Sequence, residues 1–388
     1  MRSQCHCRFP QVPVGYCGLM HIERLRIENF RNLREVDLAL PARVNLFLGD
    51  NGSGKTSLLE AVHLALTGRS QRRATQDVML RKDADYFRLA VDVAFGSTRA
   101  KSEYGFVPGR TRTLKVNNNP VRSQSALLEE FAVVSFAPED LQLVFGSPSA
   151  RRSAMDFVLS TASSSYLSAL THYERAVMQK NKLLKDLQRS GPGVGGPQLL
   201  GFNTQIMERG AHLIKSRRAY TLQSADDMRS IYARLSDHGE TVALRYEPSI
   251  STHDDSRLEE AFERALAEHE EKERIMAQSL VGPHRDDWEI FLAGRPAKQF
   301  ASQGQARSLA VAIKLAGFRY LERIRSDAPV LLFDEIFGEL DPGRGRRLLE
   351  LVGDFAQALI TSVQPATAQQ LGGDADCFLI KGGVVSKK

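Results

Sequence analysis

The chain has 388 residues, 42% of them hydrophobic, enough for one large domain or two of ordinary size, each with its own core. Its formal net charge of +6 favours polyanionic partners, nucleic acid among them. No stretch approaches the roughly 20 apolar residues of a membrane span, the N-terminus carries no signal-peptide pattern, and three of the four cysteines (Cys5, Cys7, Cys17) crowd one end. These features exclude a disulfide framework and point to the cytosol.

Residues 1–19 lack regular patterning and read as an N-terminal extension; Cys5-His6-Cys7 is followed by no second pair at zinc spacing. Patterning starts at Met20. Alternation at Val36, Leu38 and Leu40, and again at Leu89, Val91, Val93 and Phe95, predicts half-buried antiparallel strands. Between them Val44–Leu48 runs into a glycine loop, and Thr56–Leu66 predicts a helix. Over Tyr166–Leu187, Ile206–Leu235 and Leu258–Met276 apolar residues recur at helical spacing, with a Gly- and Pro-rich turn at 190–197 dividing the first from the second. Farther on, Trp288, Ile290 and Leu292 alternate. Val330–Phe333 is a wholly apolar run of the kind buried on both faces of a parallel sheet, and Leu359-Ile360-Thr361 predicts a neighbour.

Gly49-Asp50-Asn51-Gly52-Ser53-Gly54-Lys55-Thr56 fits the Walker A pattern at every fixed position, between a strand and a helix. Backbone N–H groups of such a loop and the helix N-terminus hold phosphate oxygens; Lys55 is expected to reach the β- and γ-phosphates of ATP, and the Thr56 hydroxyl to bind Mg²⁺. Asp334 ends the Val330–Phe333 run, where its carboxylate is expected at the Mg²⁺ shell, and Glu335 is placed to polarise the attacking water. Ser302-Gln303-Gly304-Gln305 opens a helix shortly before that strand, where ABC-type ATPases carry their signature motif; alone it is an ordinary helix cap. The expected fold is α/β: an ABC-type P-loop ATPase head with a mixed sheet, formed by residues 20–125 and 281–388, with a mainly helical lobe inserted over 126–280. Arg69, Arg72, Arg73, Arg81 and Lys82, and separately Arg151 and Arg152, are candidates for DNA phosphate contacts, although basic clusters are usually solvated faces.

Together these motifs resemble the RecF family of bacterial recombination-mediator ATPases, relatives of the SMC proteins. The likeness spans Met20 to the C-terminus. Its other supports are Ile27-Glu28-Asn29-Phe30-Arg31-Asn32, Gly68-Arg69-Ser70, Phe136-Ala137-Pro138-Glu139-Asp140-Leu141, Gly146-Ser147-Pro148, Gly282-Pro283-His284-Arg285-Asp286-Asp287 and Glu339-Leu340-Asp341. It implies an ATP-dependent head-to-head homodimer in which Ser302–Gln305 of one protomer close over ATP held by the other, with Asp341 at that interface. It also implies binding to gapped or single-stranded DNA or duplex junctions, the partners RecR and RecO, and loading of the recombinase. The chain departs from the wider ABC pattern in two places. No histidine follows His284, so Thr361 or Ser362 stands where a switch histidine is usual, and Gln142 is the nearest candidate for the glutamine loop. The alternative weighed against this is an ATPase subunit driving a membrane transporter; the long helices and basic balance favour the DNA reading.

Overall fold

A computed structural model describes residues 20–388 apart from 41–42, 73, 191–195, 237–238, 253, 353–356 and 372–374. The extension at 1–19, Arg73 and most of the turn expected at 190–197 lie outside the described residues. The chain separates into two compact units. The first holds the chain up to Leu141, Ser230–Gly239 and Ser302–Lys388; the second holds Gln142–Arg229 and Glu240–Ala301.

In chain order, β1 (Met20–Phe30), β2 (Leu33–Ala39) and β3 (Val44–Leu48) precede α1 (Lys55–Thr67), and β4 (Phe87–Phe95), β5 (Thr98–Phe106), β6 (Thr113–Val116), β7 (Asn119–Val121) and β8 (Val133–Phe136) follow it. Next come α2 (Pro148–Ala162), α3 (Ser164–Ser190), α4 (Gly196–Leu235), β9 (Val242–Glu247), α5 (Leu258–Met276), β10 (Asp287–Leu292) and β11 (Arg295–Pro296). The chain ends with α6 (Gln303–Arg325), β12 (Val330–Phe333), α7 (Pro342–Val352), β13 (Ala358–Ser362), β14 (Ala375–Lys381) and β15 (Val384–Lys387).

The first unit contains two six-stranded sheets. One, ordered β2-β1-β4-β5-β6-β7, is antiparallel throughout. The other, ordered β15-β14-β3-β13-β12-β8, is parallel except for the β14-β15 hairpin. Its central strands β3, β12 and β13 are buried at every residue, which is why they read as apolar runs without alternation. One core joins Leu25, Ile27, Leu89 and Val91 of the first sheet to Phe47, Leu332 and Leu359 of the second, with Leu58, Val62 and Leu66 of α1 in the same cluster. α1 is therefore apolar around most of its circumference, as a helix packed on several sides must be.

Three assignments differ from the sequence reading, the smallest being Ser230–Gly239, expected in the inserted lobe and found in the first unit. The run Val133–Phe136 pairs in parallel with Val330–Phe333, so residues 126–141 belong to the ATPase unit and not to the inserted lobe. The alternating strand Trp288–Leu292 does not return to the ATPase sheets. It pairs with Val242–Tyr246 and Arg295–Pro296 in a small antiparallel sheet of the second unit, and the ATPase unit resumes at Ser302. Both strands are too short for sequence periodicity to name their partners.

The second unit also contains a buried polar network. The Arg217 guanidinium, 2% exposed, donates to both Asp156 oxygens (2.8 and 3.0 Å), to Pro283 O (2.7 Å) and to Asp286 Oδ2 (3.2 Å). Asp286 accepts further bonds from the Tyr246 hydroxyl and from Ser249 N. The Tyr173 hydroxyl lies 2.5 Å from Nδ1 of His284, whose pKa burial pushes down to about 4. The polar segment Gly282–Asp287 is thus a structural hub, satisfied on nearly all sides as a buried ionic group requires.

Candidate nucleotide site

Parallel register brings the pieces of the site together. Phe333 pairs with Ile360, so the residues just beyond, Asp334 and Thr361, emerge side by side; Ser362 pairs with Leu48, which leads into the glycine loop. All three strands deliver their ends to the carboxyl edge of the sheet, the usual ligand edge of such folds. The loop itself turns at Gly54, whose φ of 118° lies where a side chain is rarely tolerated, and α1 begins at the next residue. Asp50, Asn51 and Gly52 are exposed at its tip, while Ser53 and Lys55 are buried.

Lys55 Nζ donates to Gly49 O (2.8 Å) and Asp50 O (2.9 Å), and lies 2.9 Å from Glu335 Oε1. The Thr56 hydroxyl donates to Asp334 Oδ1 at 3.0 Å across 278 positions of sequence. Thr361 Oγ1 donates to the same oxygen at 2.8 Å and accepts from Glu335 N at 3.0 Å. Burial pushes the Asp334 carboxyl above its ordinary value, and its bonds from Thr361 and Thr56 work against that shift. Glu335 has φ 56° and ψ 9°, the left-handed region, at a cost of about 1–3 kcal/mol for a residue with a side chain. That geometry turns its carboxylate away from the strand and toward Lys55.

The loop is also braced from outside. Asn32 Nδ2 donates to Gly52 O (3.0 Å) and Gly383 N to Ser53 O (3.0 Å). Buried Glu60 of α1 accepts from Arg31 Nε (2.5 Å) and Nη2 (3.0 Å) and from Ser70 Oγ (2.7 Å). In the sequence Arg31, Asn32 and Ser70 stand out only through the family pattern and Gly383 gives no signal, because their contacts join residues far apart along the chain. For Thr361 the sequence signal was only that it stood where a histidine is usual.

A phosphate-bearing ligand and Mg²⁺ fit these residues. The Ser53 hydroxyl is buried inside the loop with no protein partner, and the donor set at Thr56 and Asp334 is all oxygen, the hard chemistry that Mg²⁺ prefers. A second group lies at the start of α6 and α7. Ser302 caps α6 in a reciprocal box: its Oγ accepts from Gln305 N (3.2 Å) and its N donates to Gln305 Oε1 (2.7 Å). Gln303 is exposed, Gly304 and Gln305 half-buried. Exposed Asp341 caps α7, accepting from Arg344 N at 3.0 Å.

The arginine candidates divide. Arg69 is exposed and bonds Gln124 Oε1 (2.9 Å), and Arg72 is exposed, 4.0 Å from Glu139. Arg151 is 4% exposed and makes a two-pronged bond to Asp287 (2.8 Å each), and Arg152 donates to Asp286 O (2.6 Å). These two are therefore corrected from phosphate candidates to structural groups of the second unit, their charge turned inward to the Gly282–Asp287 segment. Gln142, exposed, opens a short helix at Gln142–Phe145.

A Val side chain at Thr361 would keep the shape while removing one donor to buried Asp334 and the acceptor for Glu335 N. Thr361→Val is expected to cost about 1–3 kcal/mol of unfolding free energy, with Thr361→Ser near wild type. Chemical denaturation of the two variants checks this; equal stability would remove Thr361 from the support of the site.

The model for the AAA domain matches residues 24–190. The DNA replication and repair protein RecF of Heliobacterium modesticaldum is 35% identical over 372 residues, 95% of this chain and 99% of the relative. The protein of the same name from Acidothermus cellulolyticus is 36% identical over 352 residues, 88% of this chain and 94% of the relative. Among solved structures, the recombination mediator protein RecF with ATP, of the RecFOR pathway, superposes with a TM-score of 0.88 at 30% identity, covering 97% of this chain and all of its own. An Smc head domain from Pyrococcus furiosus shares the fold at 16% identity and a TM-score of 0.57. The relatives' coverage and common name decide against the transporter reading, and the chain belongs to the RecF family of DNA replication and repair proteins.

Proposed function

We propose that the chain binds and hydrolyses ATP to time its residence on DNA during recombinational repair and fork maintenance. The observation that carries this is the meeting of Lys55, Thr56, Asp334 and Glu335 at one strand edge. In this reading Lys55 and the loop N–H groups hold the phosphates, Thr56 and Asp334 hold Mg²⁺, and Glu335 takes the proton of the attacking water, exchanging its Lys55 contact for that role. Held there, Mg²⁺ would supply neutralisation of the charge that develops on the phosphates. ATP joins two copies head to head, the Ser302–Gln305 turn and Asp341 of each facing the nucleotide of the other. The Ser302 hydroxyl, whose oxygen accepts from Gln305 N, keeps its O–H to donate at a helix N-terminus, a suitable anion contact.

The DNA class is a gapped, single-stranded or junction substrate. The partners are RecR- and RecO-type mediators, by analogy with the RecFOR pathway of the structural relatives. Among the described residues no helix is long and apolar enough to cross a membrane. We place the chain in the cytoplasm, where its DNA is.

ATPase activity measured with and without gapped DNA tests the proposal directly, and hydrolysis in neither condition sinks it. DNA binding should require ATP and fall with salt at a log–log slope of about −3 or steeper, roughly −0.9 per phosphate neutralised. Arg69→Ala and Arg72→Ala should each reduce that slope by about 1, whereas Arg151→Ala should leave it unchanged in whatever fraction folds. A slope near zero, or equal affinity without ATP, counts against it.

A further inference from the structure

Two arginines tie the start of α6 to the segment that follows the Walker B carboxylates, and they do so from opposite sides. Arg307 reaches out from α6: its Nη1 donates to Glu339 O at 2.6 Å and its Nε lies 3.2 Å from Glu339 Oε2. Arg344 reaches back from α7. Its backbone N donates to Asp341 Oδ1, its Nε lies 3.4 Å from Asp341 Oδ2, and its side chain is only 14% exposed. The Arg344 guanidinium rests so closely against Gly304 that a Cβ there would collide with Nη1. Nη1 is the atom nearest that Cβ position, with Cζ at 3.3 Å and Nη2 at 3.8 Å, so the guanidinium meets Gly304 end first.

We infer that Arg344, with Arg307 as its counterpart, is a positioning residue that clips the Ser302–Gln305 turn and the Asp341 loop into one body. The inference rests on the shared-site reading, because its consequence lies at the partner's nucleotide. Two helix starts that moved independently would each have to be positioned when the dimer closes; clipped together, they present one pre-formed surface. The clip lies outside the chain's own phosphate loop. It therefore sets dimer closure without setting how one protomer binds nucleotide.

The test uses the full chain with a non-hydrolysable ATP analogue, reading nucleotide affinity by fluorescence and dimer formation by light scattering. Arg344→Ala should bind nucleotide within about twofold of wild type yet dimerise at least about tenfold more weakly. Gly304→Ala keeps the arginine but pushes its guanidinium off the turn, and should give the same split. The double variant should be no worse than either single one, since both break one contact. Ser302→Arg serves as the control for the shared site. If Ser302→Arg fails to dimerise while Arg344→Ala dimerises like wild type, the clip is overturned and the shared site stands. If the losses of Arg344→Ala and Gly304→Ala simply add, the clip is likewise overturned. If Ser302→Arg dimerises normally, the shared site falls and the clip's role falls with it. Should Arg344→Ala fail to fold, Arg307→Ala, which removes the contacts to Glu339, decides in its place: a tenfold loss with nucleotide affinity kept supports the clip and wild-type dimerisation overturns it.

Discussion

Glu335→Gln should bind ATP, accumulate as a dimer and hydrolyse about 10²- to 10⁴-fold more slowly than wild type, the range a lost general base produces. The substitution suits the site. Glutamine has the same length, can still accept a hydrogen bond from Lys55 Nζ 2.9 Å away, and makes the same backbone turn at φ 56°. What it cannot do is take a proton from water. Folding and nucleotide binding should therefore survive while chemistry fails, and a closed dimer that opens only after hydrolysis should persist. Sizing chromatography with ATP and a steady-state ATPase assay check the two halves. Hydrolysis at the wild-type rate would remove Glu335 from the mechanism, leaving its strained backbone and its pairing with Lys55 without a catalytic explanation.

Mixing two inactive chains should restore activity. Lys55→Ala removes the buried cation that donates to Gly49 O and Asp50 O, and Ser302→Arg places a bulky side chain at the capped start of α6. Each homodimer carries the same lesion at both sites and is expected to be inactive. In a mixed dimer one site carries both lesions, while the other combines the intact glycine loop of the Ser302→Arg chain with the intact turn of the Lys55→Ala chain. At a protein concentration high enough to overcome the weaker closure of the damaged chains, random pairing makes half the dimers mixed with half their sites whole, so at most roughly a quarter of wild-type turnover should return, because phosphoryl transfer depends on positioning. Recovery should peak near equal amounts. If neither mutant is active alone and crosslinked mixed dimers are also inactive, Ser302 does not act on the partner's nucleotide, or the two sites must close together. Full activity of either mutant alone ends the shared-site proposal.

Much of the nucleotide site is legible in the sequence alone. Gly49–Thr56 and Asp334-Glu335 are local patterns: a loop needing glycine at fixed places, and a carboxylate pair ending an apolar strand. Their chemistry depends on neighbours in sequence, so a linear reading reaches it. Arg151 and Arg152 illustrate the opposite case. A pair of adjacent arginines looks the same in sequence whether it faces water or an aspartate 136 positions away, and only packing reveals Arg151 bound to Asp287. The Trp288 strand failed for a related reason. Its alternation correctly signalled a strand with one buried face, but alternation carries no information on which sheet supplies the partner.

By itself the sequence determined the strand–loop–helix of the phosphate loop, the long helices between Ser164 and Met276, and the apolar strands of the parallel sheet, because propensity, periodicity and glycine placement act over a few residues. Tertiary structure alone decided that β8 joins β12, that β10 leaves for the second unit, and that Thr361 holds both Asp334 and the Glu335 backbone. It alone decided, too, that Arg344 lies on Gly304. Each of these depends on which hydrogen-bonding groups and surfaces find one another across the fold. A buried donor or acceptor must be matched by whatever the packed chain brings beside it, and that neighbour can come from any distance along the sequence.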